Sequence, residues 1–254
     1  MKIRLIRNAT LLLDYAGQHI LIDPYFAARH SLPSYTGRSP NPLVMLPLPP
    51  EHILPAVALV IISHLHTDHF DAAAQALVPK DLPLFCQPGN EDVIRAKGFQ
   101  RVTPIAATQY WQNLNITRIG GHHGRGEVEG LMGAVAGFVF QASSEPTLYW
   151  AGDTILCAEV EQAIDTFKPA LVVTHSCGAM WPDRAGQRSL IVMDDAQTVA
   201  VCRRLADGRV IATHMEALDH ATITRAQLRQ TAQAAGIDER KLLIPADGAT
   251  ITAD

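Results

Sequence analysis

Charge is scarce in this chain. Of its 254 residues 18% are charged and 48% hydrophobic, whereas roughly 25% charge is ordinary for soluble domains. A disordered chain has the opposite balance, so disorder is excluded. A basic excess is missing too: 21 Lys and Arg stand against 25 Asp and Glu, a net charge of −4. Proteins that hold nucleic acid through its phosphates carry such an excess, so no nucleic-acid partner is expected. Cysteine occurs four times, as Cys86, Cys157, Cys177 and Cys202. These are too dispersed for a CxxC motif and too few for a disulfide framework. They read as reduced thiols of a cytoplasmic protein. Long apolar runs are absent as well. The longest, Pro55 to Ile62, falls far short of the roughly 20 residues that cross a bilayer, so no membrane partner is expected. Met1 to Leu13 carries Lys2, Arg4 and Arg7 among broken apolar stretches and makes a poor signal peptide.

What remains is a chain long enough for a substantial core, read as one α/β domain over 1–254. Short β-type runs open it at Lys2–Ile6, Thr10–Tyr15 and His19–Ile22, with a hairpin turn at Ala16–Gln18. Seven of the 16 prolines then fall between Pro33 and Pro55. Proline fixes φ and removes a backbone donor, so this stretch is expected to be irregular. It is either a linker or a long loop over a functional surface. Ala56–Ile62 is a β-branched run of buried-strand type, followed by helical patterns at Asp71–Leu77 and Glu91–Lys97. Strands are expected at Leu84–Cys86, Ile116–Ile119, Gly137–Gln141, Thr147–Ala151, Ala170–Thr174, Arg209–Thr213 and Leu242–Ile244. Helices are expected at Thr154–Phe167, Asp194–Leu205 and Thr222–Ala235.

The informative residues are the 11 histidines. His64-Leu65-His66-Thr67-Asp68-His69 follows directly on a buried strand. In extended chain, side chains two apart point the same way, which pairs His64 with His66. Neutral imidazole ligates zinc, iron and similar ions. Asp68 and His69 lie where the chain turns into a helix and can face a second point beside the first. The alternative, an acidic helix N-terminus with exposed histidines, leaves three crowded imidazoles without a purpose. Other strand ends repeat the pattern: His122-His123, Asp153, His175 and His214. Ligands at several strand ends of one face can converge. His122 and His123, being adjacent, point to opposite sides of extended chain. His175 reads as a residue beside the ligands or in the pocket, and His220 as a substrate contact or a helix cap. Six glycines between Gly120 and Gly133 read as a mobile rim loop or a turn into the next strand.

This set, His64-x-His66-x-Asp68-His69, a later histidine, Gly152-Asp153-Thr154 and a final histidine after a strand, resembles the metallo-β-lactamase superfamily over essentially the whole chain. The opening Thr10 to Pro24 is similar to its ascorbate-phosphate-lactonase-like branch of metal-dependent hydrolases. The resemblance implies an αββα sandwich, two β-sheets face to face with helices outside, and two divalent metal ions, zinc or manganese with iron as the further choice. One ion would take His64, His66 and His123, the histidine that precedes a small residue. The other would take Asp68, His69 and His214, with Asp153 bridging. A hydroxide bridged by the ions would then attack a small lactone or phosphoester, with Asp68 and Asp153 as the catalytic carboxylates. Candidate substrate contacts are Arg38, Asn41, Trp181, His175 and His220, with Tyr35 and Arg184 nearby. An arginine there would suit an anionic substrate. Alternatives are a ribonuclease Z-like phosphodiesterase and a di-iron redox protein. The first is opposed by the missing basic excess. The second is opposed by His66, where di-iron relatives carry glutamate. The partner expected is a small molecule, and a homo-oligomer is an open alternative.

Overall fold

The structure is a computed structural model that describes residues 1–253. Two seven-stranded sheets carry the chain. The first contains β1 (Lys2–Arg7), β2 (Thr10–Tyr15), β3 (Gln18–Ile22), β4 (Leu59–Ile62), β5 (Pro83–Cys86) and β6 (Arg101–Pro104), with β16 (Thr250–Thr252) beside β1. Its early strands pair antiparallel, whereas β3 to β6 run parallel. The second sheet contains β7 (Thr108–Trp111), β8 (Leu114–Gly120), β9 (Ala136–Ala142), β10 (Glu145–Trp150), β11 (Leu171–His175), β14 (Arg209–Thr213) and β15 (Leu242–Leu243). Here β7 to β10 are antiparallel and β10, β11, β14 and β15 are parallel. A small hairpin, β12 (Met180–Pro182) with β13 (Arg188–Leu190), stands apart.

Alternation within the strands builds the layers. Leu5, Leu11, Leu13 and Ile61 of the first sheet pack against Phe138, Phe140, Trp150 and Val173 of the second. Tyr15 joins the two: its hydroxyl donates to the Phe140 carbonyl at 3.0 Å, and the rings meet edge-on at 6.3 Å. The opposite faces are covered by helices. α1 (Ala72–Leu77) and α2 (Glu91–Arg95) lie over the first sheet. α4 (Ala158–Phe167), α5 (Asp195–Arg204) and α6 (Arg225–Ala234) lie over the second. This is the expected αββα sandwich.

Capping explains several helix starts. Asp71 accepts from the amides of Ala73 and Ala74, Asp194 from that of Gln197, and Thr224 forms a reciprocal box with Gln227. Two expectations are corrected. The helix expected from Thr154 begins only at Ala158, because Gly152 to Cys157 form a loop in which Thr154 Oγ1 accepts from the His122 amide at 2.9 Å. The glycine-rich segment after His123 is neither a plain turn nor a bare loop. It contains α3 (Glu127–Met132), bounded by Gly126 and Gly133 at positive φ. The short strands β6, β7, β12, β13 and β16 carry too little apolar pattern to be read in advance.

Phe140 sits between the sheets, away from the histidines. Phe140→Ala is expected to lower unfolding stability by about 3–5 kcal/mol through the cavity it leaves, seen as an earlier midpoint in urea followed by circular dichroism.

Candidate metal centre

Strand direction decides where the candidate ligands go. β10, β11 and β14 are parallel, and β8 runs the same way two strands over. Their C-terminal ends therefore share one edge of the second sheet. From those ends come His123, Asp153, His175 and His214. From the end of β4 in the facing sheet come His64, His66, Asp68 and His69. Ligands cluster outside the carboxyl ends of parallel strands because neighbouring loops diverge there and leave a crevice.

The donor atoms fall into two groups that share Asp153. His64, His66, His123 and Asp153 form one, and His69, Asp153, His175 and His214 the other; within each, one atom per residue lies within 4.8 Å of all the others. Asp153 Oδ2 is 3.1 Å from His69 Nε2, 3.5 Å from His123 Nε2 and 3.8 Å from His64 Nε2. Its Oδ1 is 2.5 Å from His175 Nδ1 and 3.7 Å from His214 Nε2. Asp68 Oδ2 stands 3.0 Å from His214 Nε2 and 3.4 Å from His69 Nε2.

The opposite ring edges are held from outside. Ser63 Oγ donates to Asp23 Oδ2 at 2.6 Å, so it accepts from His64 Nδ1 at 2.9 Å. His69 Nδ1 donates to Asp23 Oδ2 and His123 Nδ1 to the Ile191 carbonyl, both at 2.7 Å. His214 Nδ1 meets Cys177 Sγ at 3.5 Å. With Nδ1 carrying a proton, the Nε2 atoms turn inward toward carboxylate oxygens, and without a cation those of His69 and His214 can meet Asp153 and Asp68 only as N–H donors of an imidazolium. A buried assembly of acceptors is stable only around positive charge. His64 Nε2 is accordingly buried without a hydrogen-bond partner. The donor set thus fits divalent cations: imidazole nitrogen and carboxylate oxygen, dry, and oriented from behind.

The ionisation pattern has the same cause. Burial pushes His64 well below the ordinary histidine range, and its neighbours His69 and His66 push it further. Burial likewise lowers His123 to about 4. For His69 and His214 burial is overturned by the carboxylates, Asp153 foremost, which hold both well above the usual value. For Asp68 and Asp153 burial favours the neutral acid, yet the imidazoles, His69 first, hold both carboxylates ionised.

Two backbone positions make this geometry. His214 has φ +61°, a left-handed conformation that a histidine adopts only when the surroundings impose it. Its amide donates to the Asn8 carbonyl at 3.0 Å. Gly152 has φ +72°, and a Cβ there would lie 2.8 Å from the Ala136 carbonyl oxygen and 2.9 Å from the Trp150 ring. Glycine is required to deliver Asp153.

A cavity of about 310 Å³ opens over the centre, lined by His66, Asp68, His123 and Asp153 on one side and by Tyr35, Leu65, Met132, Trp181, Ile191 and His220 on the other. Of the expected substrate contacts, Trp181 and His220 line it. Asn41, Arg38 and His175 do not. Asn41 is fully buried and its amide donates to Asp219 Oδ1 at 2.9 Å. Arg38 donates to Thr36 Oγ1 and borders a separate depression with Leu218 and Asp219. His175 is buried against Asp153, among the donors themselves. Nearby Arg184 is exposed and pairs with Glu127 at 3.1 Å. The proline-rich stretch is a loop over the site rather than a linker. Asp219 holds it, accepting from the Tyr35 and Thr36 amides at 3.0 Å each, and so places Tyr35 on the cavity wall.

Sequence reasoning missed Asp23, Ser63, Asn8 and Asp219. Asp23 stands in the Leu21-Ile22-Asp23-Pro24 run already singled out, where a carboxylate after a buried strand was the available signal.

Comparison with known proteins agrees in extent. The Beta-lactamase superfamily domain matches residues 18–215. The UPF0173 protein YddR of Bacillus subtilis is 34% identical, covering 99% of this chain and 100% of its own. The crystal structure of an isothiocyanate hydrolase from Delia radicum gut bacteria is 37% identical, with TM-score 0.91 over 100% of this chain and 99% of that one. A possible metal-dependent hydrolase from Veillonella parvula is 30% identical, with TM-score 0.94 over the same shares.

Asp23 holds His69 directly and His64 through Ser63. Asp23→Ala is expected to weaken divalent-metal affinity about 10- to 100-fold, measured by competition with a chromogenic chelator. Asp219→Ala frees Tyr35 and is expected to raise KM more than it lowers kcat in steady-state assays.

Proposed function

We propose, from the premise that this chain belongs to the beta-lactamase superfamily and is a metal-dependent hydrolase, that it hydrolyses small neutral electrophiles of the isothiocyanate class. The observation that carries this reading is the cavity wall. Among the described residues it contains no lysine or arginine, and apart from Thr67 and His220 its outer side is aromatic and aliphatic. Tyr35 and Trp181 meet edge-on at 6.4 Å, and His220 packs against Tyr35 at 5.0 Å. A pocket of this size and polarity suits an arylalkyl group carrying a compact polar head. The relative that shares 37% identity over the whole chain is described as an isothiocyanate hydrolase, which supports the same class. Lactones, with an electrophilic carbon and no charge, are the second class. A phosphoester would meet no side-chain cation in this lining, so the anionic substrate expected from Arg38 or Arg184 is the least supported.

In this reading His64, His66 and His123 would hold one cation and Asp68, His69 and His214 a second, with Asp153 within reach of both groups. Zinc or manganese suits these donors, with iron next. When bound, such ions lower the pKa of water and polarise the substrate. The chain's own residues do the rest. Asp23, Ser63, the Ile191 carbonyl and Cys177 fix the imidazoles so that nothing reorganises during reaction. Tyr35, Trp181 and Leu65 hold the organic group and exclude water around it. Asp68 borders the cavity and accepts the proton that water loses. The water oxygen forms a bond to the central carbon of R–N=C=S. Both water protons finish on nitrogen, one by way of Asp68, and the C–N bond breaks. The balance is R–NCS + H2O → R–NH2 + COS. Its free thiols suit a reducing cytoplasm.

The test is turnover by the metal-loaded protein of an arylalkyl isothiocyanate, a γ-lactone and an aryl phosphodiester, side by side. Amine release from the first at the highest kcat/KM is expected. Preference for the phosphodiester would refute the neutral-substrate reading. Asp153→Ala is expected to cut turnover at least about a hundredfold while circular dichroism stays native, since the strand core lies elsewhere. Wild-type rates in that variant would remove the shared carboxylate from the mechanism.

A further inference from the structure

We infer that His122, Cys157 and Glu159 form a separate site for one thiophilic divalent cation of the zinc type, on the outer side of the segments that supply His123 and Asp153. His122 and His123 are consecutive at the exit of β8, and extended chain sends them to opposite sides. His123 turns inward. His122 turns outward onto α3 and the start of α4. There one atom each of His122, Cys157 and Glu159 lies within 4.8 Å of the others. His122 Nε2 is 3.2 Å from Glu159 Oε1. Its Nδ1 is held by the carboxylate of Glu129 on α3. A carboxylate behind a histidine, with the other ring nitrogen facing donors, is the arrangement that orients imidazole for metal.

Three further features favour an ion over a simple histidine–carboxylate pair. Glu159 Oε2 is buried and lies outside the hydrogen bond to His122, with the Cys157 thiol as its polar neighbour. The donors are of three kinds, and one thiolate and one carboxylate balance a double positive charge. Thiolate also selects against magnesium, calcium and manganese. The backbone is fixed before any ion arrives. The Ile155 amide donates to the His122 carbonyl at 2.9 Å, and Thr154 Oγ1 accepts from the His122 amide. Gly121 allows that approach, since a Cβ there would sit 2.9 Å from the Thr154 side chain. His122 and Glu159 are partly exposed, which leaves room for water as the fourth ligand. Binding forms a sulfur–metal bond and releases the Cys157 proton to solvent. The ion would tie β8, the Asp153 loop and α4 together directly behind the main centre.

The main centre has no cysteine among its candidate ligands, so a sulfur signature reports this site alone. Metal-depleted full-length protein is titrated with cobalt(II) and followed in the near ultraviolet for thiolate-to-cobalt charge transfer. The band is expected to reach, once all sites are filled, an amplitude corresponding to one thiolate-bound cobalt per chain, to vanish in Cys157→Ser and His122→Gln, and to persist in Cys177→Ser and His66→Ala. A missing band, or one that survives Cys157→Ser or His122→Gln, overturns the site. Loss in His66→Ala would assign the signal to the main centre and overturn it equally. None of these readings depends on the substrate.

Discussion

Two carboxylates, Asp68 and Asp153, are buried among imidazoles that turn their Nε2 edges inward. Such an arrangement cannot exist in a protein interior without compensating positive charge, because buried ions and unpaired acceptors are each costly. The carboxylates therefore hold His69 and His214 well above the ordinary histidine range. A proton and a divalent cation are alternatives for the same demand, and the cation meets more donors at once. The interior behind the centre is organised to keep that demand standing. Asp23 fixes Ser63 and His69, the Ile191 carbonyl fixes His123, and the left-handed backbone at His214 aims its ring.

The sandwich matters to the site through strand direction. Parallel pairing of β10, β11 and β14 aligns their exits, and the facing sheet brings β4 to the same end. Each exit contributes one or more donors, and none could reach the others along the chain. Rigid strands also keep donors on opposite sheets in register, which loops alone would not.

In the proposed reading, specificity is set on the other wall. The residues over the centre come from the loop held by Asp219, from α3 and from the β12–β13 hairpin region, and they are mostly apolar. Chemistry and recognition are carried by different parts of the fold: the donors sit on strand ends, while the lining sits on loops whose side chains can change without disturbing the core. The outer group at His122 shows the same economy, since two adjacent residues serve opposite faces of one strand exit.

The residue pattern by itself determined the buried strands, the longer helices and most of the donors. Buried strands announce themselves by β-branched runs, and a cluster such as His64-x-His66-x-Asp68-His69 has few uses other than metal. The choice of His123 over His122 came from resemblance, and packing now shows each on its own side. Only the tertiary structure decided the rest. Asp23 and Asp219 act through contacts with residues 40 or more positions away, which no local pattern records. Gly152 and the late start of α4 follow from the close approach of the Ala136 and His122 backbones. Arg38 and Asn41 were plausible by chemistry and position, yet the loop that carries them turns Tyr35 to the cavity instead. Side-chain type is written in the chain, whereas the direction in which a loop residue points is set by what the fold packs against it.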